Sequence, residues 1–136
     1  NVIPSGLSLV TGVLDKIFGF WSMPEEERQR FISRLYAALV ELMVRFHKDW
    51  TSGNIDKSKV MIVHFDQMMN EFDVLMENII KFVAHDATEK LLNDIKVTSE
   101  NQKRFKSKHQ YDLEKFGLNE RKIRNDCKAI YETFIN

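Results

Sequence analysis

The stretch MIVHFDQMMNEFDVLMENIIKF, Met61 to Phe82, sets apolar residues at Met61, Phe65, Met68, Phe72, Leu75, Ile79 and Phe82. The spacings are four and three without an error, which is the repeat of one face of a helix. Val60, Val74, Ile80 and Val83 widen that face beyond a simple two-helix seam. A helix with so broad an apolar surface is expected near the centre of a helical core.

Upstream, Ile32, Tyr36, Leu39, Met43, Phe46 and Trp50 repeat the same spacing, with Leu35 and Leu42 beside them. Ser22, Pro24 and Glu25 read as a helix start, with Ser22 as the capping hydroxyl. Glu26 and Glu27 sit where the positive end of the helix dipole favours acids. Thr51, Ser52, Gly53 and Asn54 end the segment. Before it, Ile3, Leu7, Val10, Leu14, Ile17 and Trp21 mark a first helix from about Ser5 to Trp21. Its opposite side carries the small or polar residues Ser5, Ser8, Gly12, Asp15 and Gly19.

Downstream, Asp86 is the expected cap for a helix through Leu91, Leu92 and Ile95. Apolar residues then thin out, so 96–110 reads as a solvated helical face or a loop. Gly117 and Asn119 are a natural stop and start. Ile123, Cys127, Ile130, Tyr131 and Phe134 then give a short final helix one apolar side. Nowhere does the sequence alternate with the period of two that a half-buried strand needs. The reading is all-α: a single-domain antiparallel bundle of four or five amphipathic helices over 1–136, with 1–22 as a peripheral N-terminal helix. The two long central helices are expected to hold most of its stability.

Composition sets the function classes. With 136 residues, 43% hydrophobic and 29% charged, the chain has enough apolar surface to fold rather than stay disordered. Twenty bases balance twenty acids, so no net field draws it to nucleic acid or an anionic membrane. One cysteine, Cys127, excludes an intramolecular disulfide, favours a reducing, cytoplasmic compartment, and reads as an inert core thiol on its helix stripe. The N-terminal stretch is interrupted by Asp15 and Lys16 and has no basic leader, so it reads neither as a cleavable signal nor as a membrane span.

No cofactor site and no metal site is expected. His47, His64, His85 and His109 never fall three to five residues apart, and no acid precedes a histidine by three. Glu41, Glu71 and Asp73 therefore lack the inward histidine partners that a carboxylate-bridged metal site requires.

Arg104 to His109, RFKSKH, resembles the arginine, four to six residues, histidine motif of the HEPN ribonucleases, which are helical bundles of comparable size. Phe105 stands where that family usually has a polar residue. The resemblance implies that Arg104 would hold a phosphate and His109 would help activate a ribose hydroxyl. The surrounding bases Lys103, Arg104, Lys106, Lys108 and Lys122, extended by Lys115, Arg121, Arg124 and Lys128, form a basic patch that could neutralise phosphates. Acids Glu100, Asp112, Glu114, Glu120 and Asp126 are interspersed, which suits a solvated helix surface better.

The run Leu14 to Arg28, with DKIFGFW followed by PEEER, resembles the amphipathic leader of small phage holin-like proteins. That resemblance implies a membrane-peripheral role for the first helix, although its polar face is poor in Lys and Arg. The leading expectation is a non-enzymatic module that self-associates, most simply as a homo-oligomer, or docks onto a protein partner. Its interaction surface is placed at Leu14, Phe18, Phe20, Trp21 and Trp50, within a surplus of aromatic and Met residues that includes Met43, Met61, Met68 and Met69.

Overall fold

Three acids in the first turn, Glu25 to Glu27, and a lysine in the last, Lys48, match both ends of the dipole of the longest helix, α2, Glu25–Thr51. The computed structural model describes residues 2–104 and 112–135, and among them the fold is all-α, with no strand. Before α2 lies α1, Val2–Phe18; after it come α3, Phe65–Asn70, α4, Phe72–Phe82, α5, Glu89–Arg104, α6, Glu120–Asp126, and α7, Lys128–Phe134. Among the described residues seven α-helices stand against an expectation of four or five, because two of the expected ones are broken. The last is interrupted at Cys127, and the third loses its first turn and divides at Glu71.

The loss of that first turn has a local cause. Val60, Ile62 and Val63 crowd β-branched side chains ahead of Phe65, where they disfavour helix. Val60 is extended, and the helix starts only after His64, whose amide donates to Gln67 Oε1. Met61 therefore lies outside any helix, and the heptad that looked continuous is carried by two shorter pieces.

Cα packing divides the chain into two compact units, Asn1–Asn54 with His109–Asn136, and Ile55–Lys108. In the larger unit α1 and α2 form a hairpin turned at Gly19, which is left-handed, followed by a 3₁₀ turn, Phe20–Ser22. Gly19 donates to the Asp15 carbonyl, and the Asp15 carboxylate accepts the Trp21 amide at 3.0 Å, so one side chain satisfies the chain reversal. Ser22 belongs to this turn. It does not cap α2 as expected: Pro24 holds the cap position, with no side-chain bond.

The core of the larger unit is continuous. Ile3, Leu7, Phe20, Ile32, Tyr36, Phe116, Leu118, Ile123, Cys127 and Ile130 are buried together. Each such aliphatic or aromatic burial contributes roughly 1.5–3 kcal/mol. Gly6 permits the close approach of α1 to α2, since a Cβ there would lie 3.0 Å from the Leu39 methyls. The one deeply buried hydroxyl on α1, Thr11, bonds its own Leu7 carbonyl at 2.7 Å. Two devices read from the sequence recur in space: Gly117 is left-handed, and Asn119 accepts the Lys122 amide at 2.9 Å.

The smaller unit is built mainly from the α4–α5 pair, with α3 packed on both helices. Among its described residues the buried side chains are Leu75, Ile95 and Ser99. Thr88, rather than the expected Asp86, caps α5, accepting the Leu91 amide at 3.2 Å. Α4 closes with Ala84 in the left-handed region and the His85 amide on the Ile80 carbonyl, a helix-ending pattern that usually employs glycine. The expectation that the third helix would anchor the main core is corrected: its residues belong to the sparsely buried unit, and α2 with α1 and the C-terminal helices builds the large core.

Candidate interaction surface

Alpha-helical periodicity gives α1 two apolar sides. Ile3, Leu7 and Thr11 face inward, while Val2, Leu9, Val13 and Ile17 recur at spacings of seven and four on a side left open. Leu9 is 69% exposed and Phe18 is 65% exposed. A helix apolar on more than one side is ordinarily covered on more than one side. Ile17 was expected on the buried stripe, and the structure places it outside. Leu9 and Val13 were missed in the sequence, although their spacing from Val2 was a readable signal.

Where α1 ends, an open groove of about 300 Å³ runs between it and the first turns of α2. Leu14, Phe18, Phe20, Met23 and Phe31 line it, and Glu27, Arg30 and Arg34 contribute charge. Phe20 plugs the hairpin from within at 2% exposure, edge-on to Phe31 at 5.4 Å. Its placement as an exposed contact residue is therefore corrected: it supports the surface and offers only part of the groove wall. Leu14 is half-buried, so of the five residues expected on the surface only Phe18 is fully exposed.

The two tryptophans serve the larger unit itself. Trp21 is half-buried against Phe20 and Phe116, with Lys115 Nζ 3.8 Å from its ring centroid and the Arg28 guanidinium at 5.9 Å. Trp50 is half-buried with Phe46 and Phe134, the ring centroids of Trp50 and Phe134 being 5.5 Å apart. Both rings gain most of their burial inside the unit, so neither is the projecting anchor that sequence composition suggested.

Several of the basic residues are similarly occupied within the larger unit. Lys122 Nζ pairs with Asp126 at 3.0 Å, and the Tyr36 hydroxyl donates to the same carboxylate at 2.6 Å. These bonds, Tyr36 first and then Lys122, hold the Asp126 carboxyl below its ordinary range. Burial, followed by the bond to Asp126, pushes the Tyr36 phenol well above its usual value. Arg124 lies over Tyr131 and Lys128 reaches Glu132 at 3.6 Å. Lys103 and Arg104 are exposed at the end of α5, in the smaller unit, whereas Lys122 belongs to the larger one. Lys106, Lys108 and His109 lie outside the described residues, so the Arg104 and His109 pair has no geometry to report.

Cys127 is buried, and burial raises its thiol above the ordinary range, with Asp126 adding to the effect. A raised thiol holds little thiolate, the form that reacts. Among the described residues no group of three His, Cys, Asp or Glu side chains is placed to hold a metal ion, and no helix is long and apolar enough to cross a membrane. Compared with known protein families, curated proteins and solved structures, the chain matches none.

Proposed function

We propose that this chain is a non-catalytic helical module that binds protein, receiving a helix of its partner along the open side of α1. The observation that carries the reading is the apolar row Val2, Leu9, Val13 and Ile17, exposed along the whole of a helix whose other side is already buried. Apolar strips of this kind are the usual footing for an amphipathic partner helix. The groove at the end of α1 continues the strip with Phe18, and Arg30 and Arg34 beside it favour a partner helix with acids flanking its apolar face. A reducing, cytoplasmic setting suits a lone, buried Cys127.

The test is a paired substitution, Leu9→Glu with Val13→Glu. Both side chains point outward, so helicity and unfolding temperature should stay close to those of the parent. A protein partner retained by the parent, and mapped to α1 by cross-linking, should be lost from the variant. Retention of that partner by the variant would rule α1 out as the contact. Ribonuclease activity that disappears in His109→Ala, or flotation with liposomes that disappears in Leu9→Glu, would replace the reading altogether.

A further inference from the structure

A helical unit of roughly fifty residues seldom holds itself together on its own core, and usually relies on a disulfide, a metal or association. The Ile55–Lys108 unit has no cysteine and, among the described residues, no metal-ligand group. Among its described residues the only buried apolar side chains are Leu75 and Ile95, and the Ser99 hydroxyl, buried one turn beyond Ile95, has no hydrogen-bond partner there. Meanwhile Val74 and Phe82 on α4, and Leu92 and Val97 on α5, are exposed. Val74 stands about 100° around α4 from buried Leu75, and Val97 about 160° around α5 from Ile95, so each helix keeps an exposed apolar side chain off its buried face, while Phe82 and Leu92 edge that face. A helix of a four-helix bundle has two adjacent neighbours, and a second hairpin laid beside this one covers both kinds of position.

Charge says which neighbour fits. From Asp66 to Lys81 the α3–α4 segment carries four acids, Asp66, Glu71, Asp73 and Glu77, against a single lysine. Α5 carries Lys90, Lys96, Lys103 and Arg104 against three acids. Among the described residues no ion pair joins α4 to α5 within one chain. Α4 complements α5 better than it complements itself.

We propose that the α4–α5 hairpin pairs with the same hairpin of a second copy, forming a four-helix bundle in which α4 of each copy lies against α5 of the other. The surface is distinct from the α1 strip, and this pairing stands or falls separately from the proposed function. Its symmetry is that of an isologous dimer, so every contact occurs twice and each substitution acts twice.

Sedimentation equilibrium of the full chain at about 1 to 100 micromolar, a range covering modest self-association, reads the outcome. The parent should approach twice its 16.1 kDa chain mass at the upper end. Val74→Glu with Phe82→Glu should return it to the single-chain mass, and Leu9→Glu should leave it dimeric. Because a double apolar substitution can disturb the hairpin, two exposed charges provide the second arm. Glu77 lies a turn beyond Val74, and Lys96 a turn beyond Leu92. Glu77→Lys alone should weaken the dimer about tenfold, and adding Lys96→Glu in the same chain should restore it. A parent that stays at single-chain mass throughout would overturn the pairing, as would a dimer dissolved by Leu9→Glu but indifferent to Glu77→Lys.

Discussion

Among the described residues the larger unit buries ten apolar side chains in one cluster, while the smaller buries two, although the smaller contains the most regular heptad in the chain. Periodicity specifies which way a helix faces. It does not supply the atoms that cover that face. In the larger unit, coverage comes from residues far apart in sequence: Phe116 and Leu118 are buried in one cluster with Leu7 and Ile32, and Phe134 meets Phe46 and Trp50. In the smaller unit α4 and α5 are covered by each other and by α3, which are near neighbours in sequence.

The strongest way to break this contrast is to cut one large side chain from each unit. Ile32→Ala should cost about 2–5 kcal/mol in denaturant unfolding, because the ten-residue cluster cannot collapse fully around the void. Phe65→Ala, on a side chain 67% exposed, should cost no more than about 0.5 kcal/mol. Equal costs would mean that the two units share their stability in a way their burial does not suggest.

A smaller effect probes the polar tie between α2 and α6. Tyr36→Phe should cost about 1 kcal/mol near neutral pH, where the phenol donates to ionised Asp126. The folded Asp126 carboxyl is lowered, so its contribution is full above the unfolded carboxylate value near pH ~4 and is lost as pH falls through the folded value. The Tyr36 phenol is raised, so its share is full below pH ~10 and is lost as pH rises beyond the unfolded value. Urea titrations of parent and variant across pH should therefore converge at both extremes, by Asp126 in acid and Tyr36 in alkali. A gap constant with pH would show that the bond does not contribute through either titration.

The smallest expected change sharpens the picture of the hairpin. Ala84 is the one described non-glycine residue at positive φ, 50°, and left-handed backbone disfavours a Cβ. Ala84→Gly should raise the smaller unit's stability by a few tenths to about 1 kcal/mol, offset in part by the freer unfolded chain. Amide exchange along α4 and α5 reads that gain directly.

Much of the helical order was legible because it is local. The heptad pattern located α2, the Gly117 and Asn119 punctuation located the start of α6, and the acids at Glu25 to Glu27 marked the first turn of α2. What escaped was set by competition over distance or within a turn. Ser22 could have capped α2, but it was drawn into the turn closed by Gly19. Phe20 looked like a surface aromatic beside Phe18, yet the left-handed Gly19 swings it inward while Phe18 stays out. Ile17 fits the four-and-three rule as well as Leu14 does, and only the position of α2 decides that one is half-covered and the other exposed. Phe18 and Phe20, on either side of Gly19, therefore acquire opposite roles from a single backbone reversal.

The clusters around Trp21 and Trp50 carry an optical consequence. Both indoles, and the buried phenol of Tyr36, lie within the larger unit, and Ile55–Lys108 contains neither Trp nor Tyr. Tryptophan emission during unfolding therefore reports the larger unit alone, whereas far-ultraviolet dichroism records the helices of both. A helical signal that fades before the emission shifts would be the smaller unit melting in the dark.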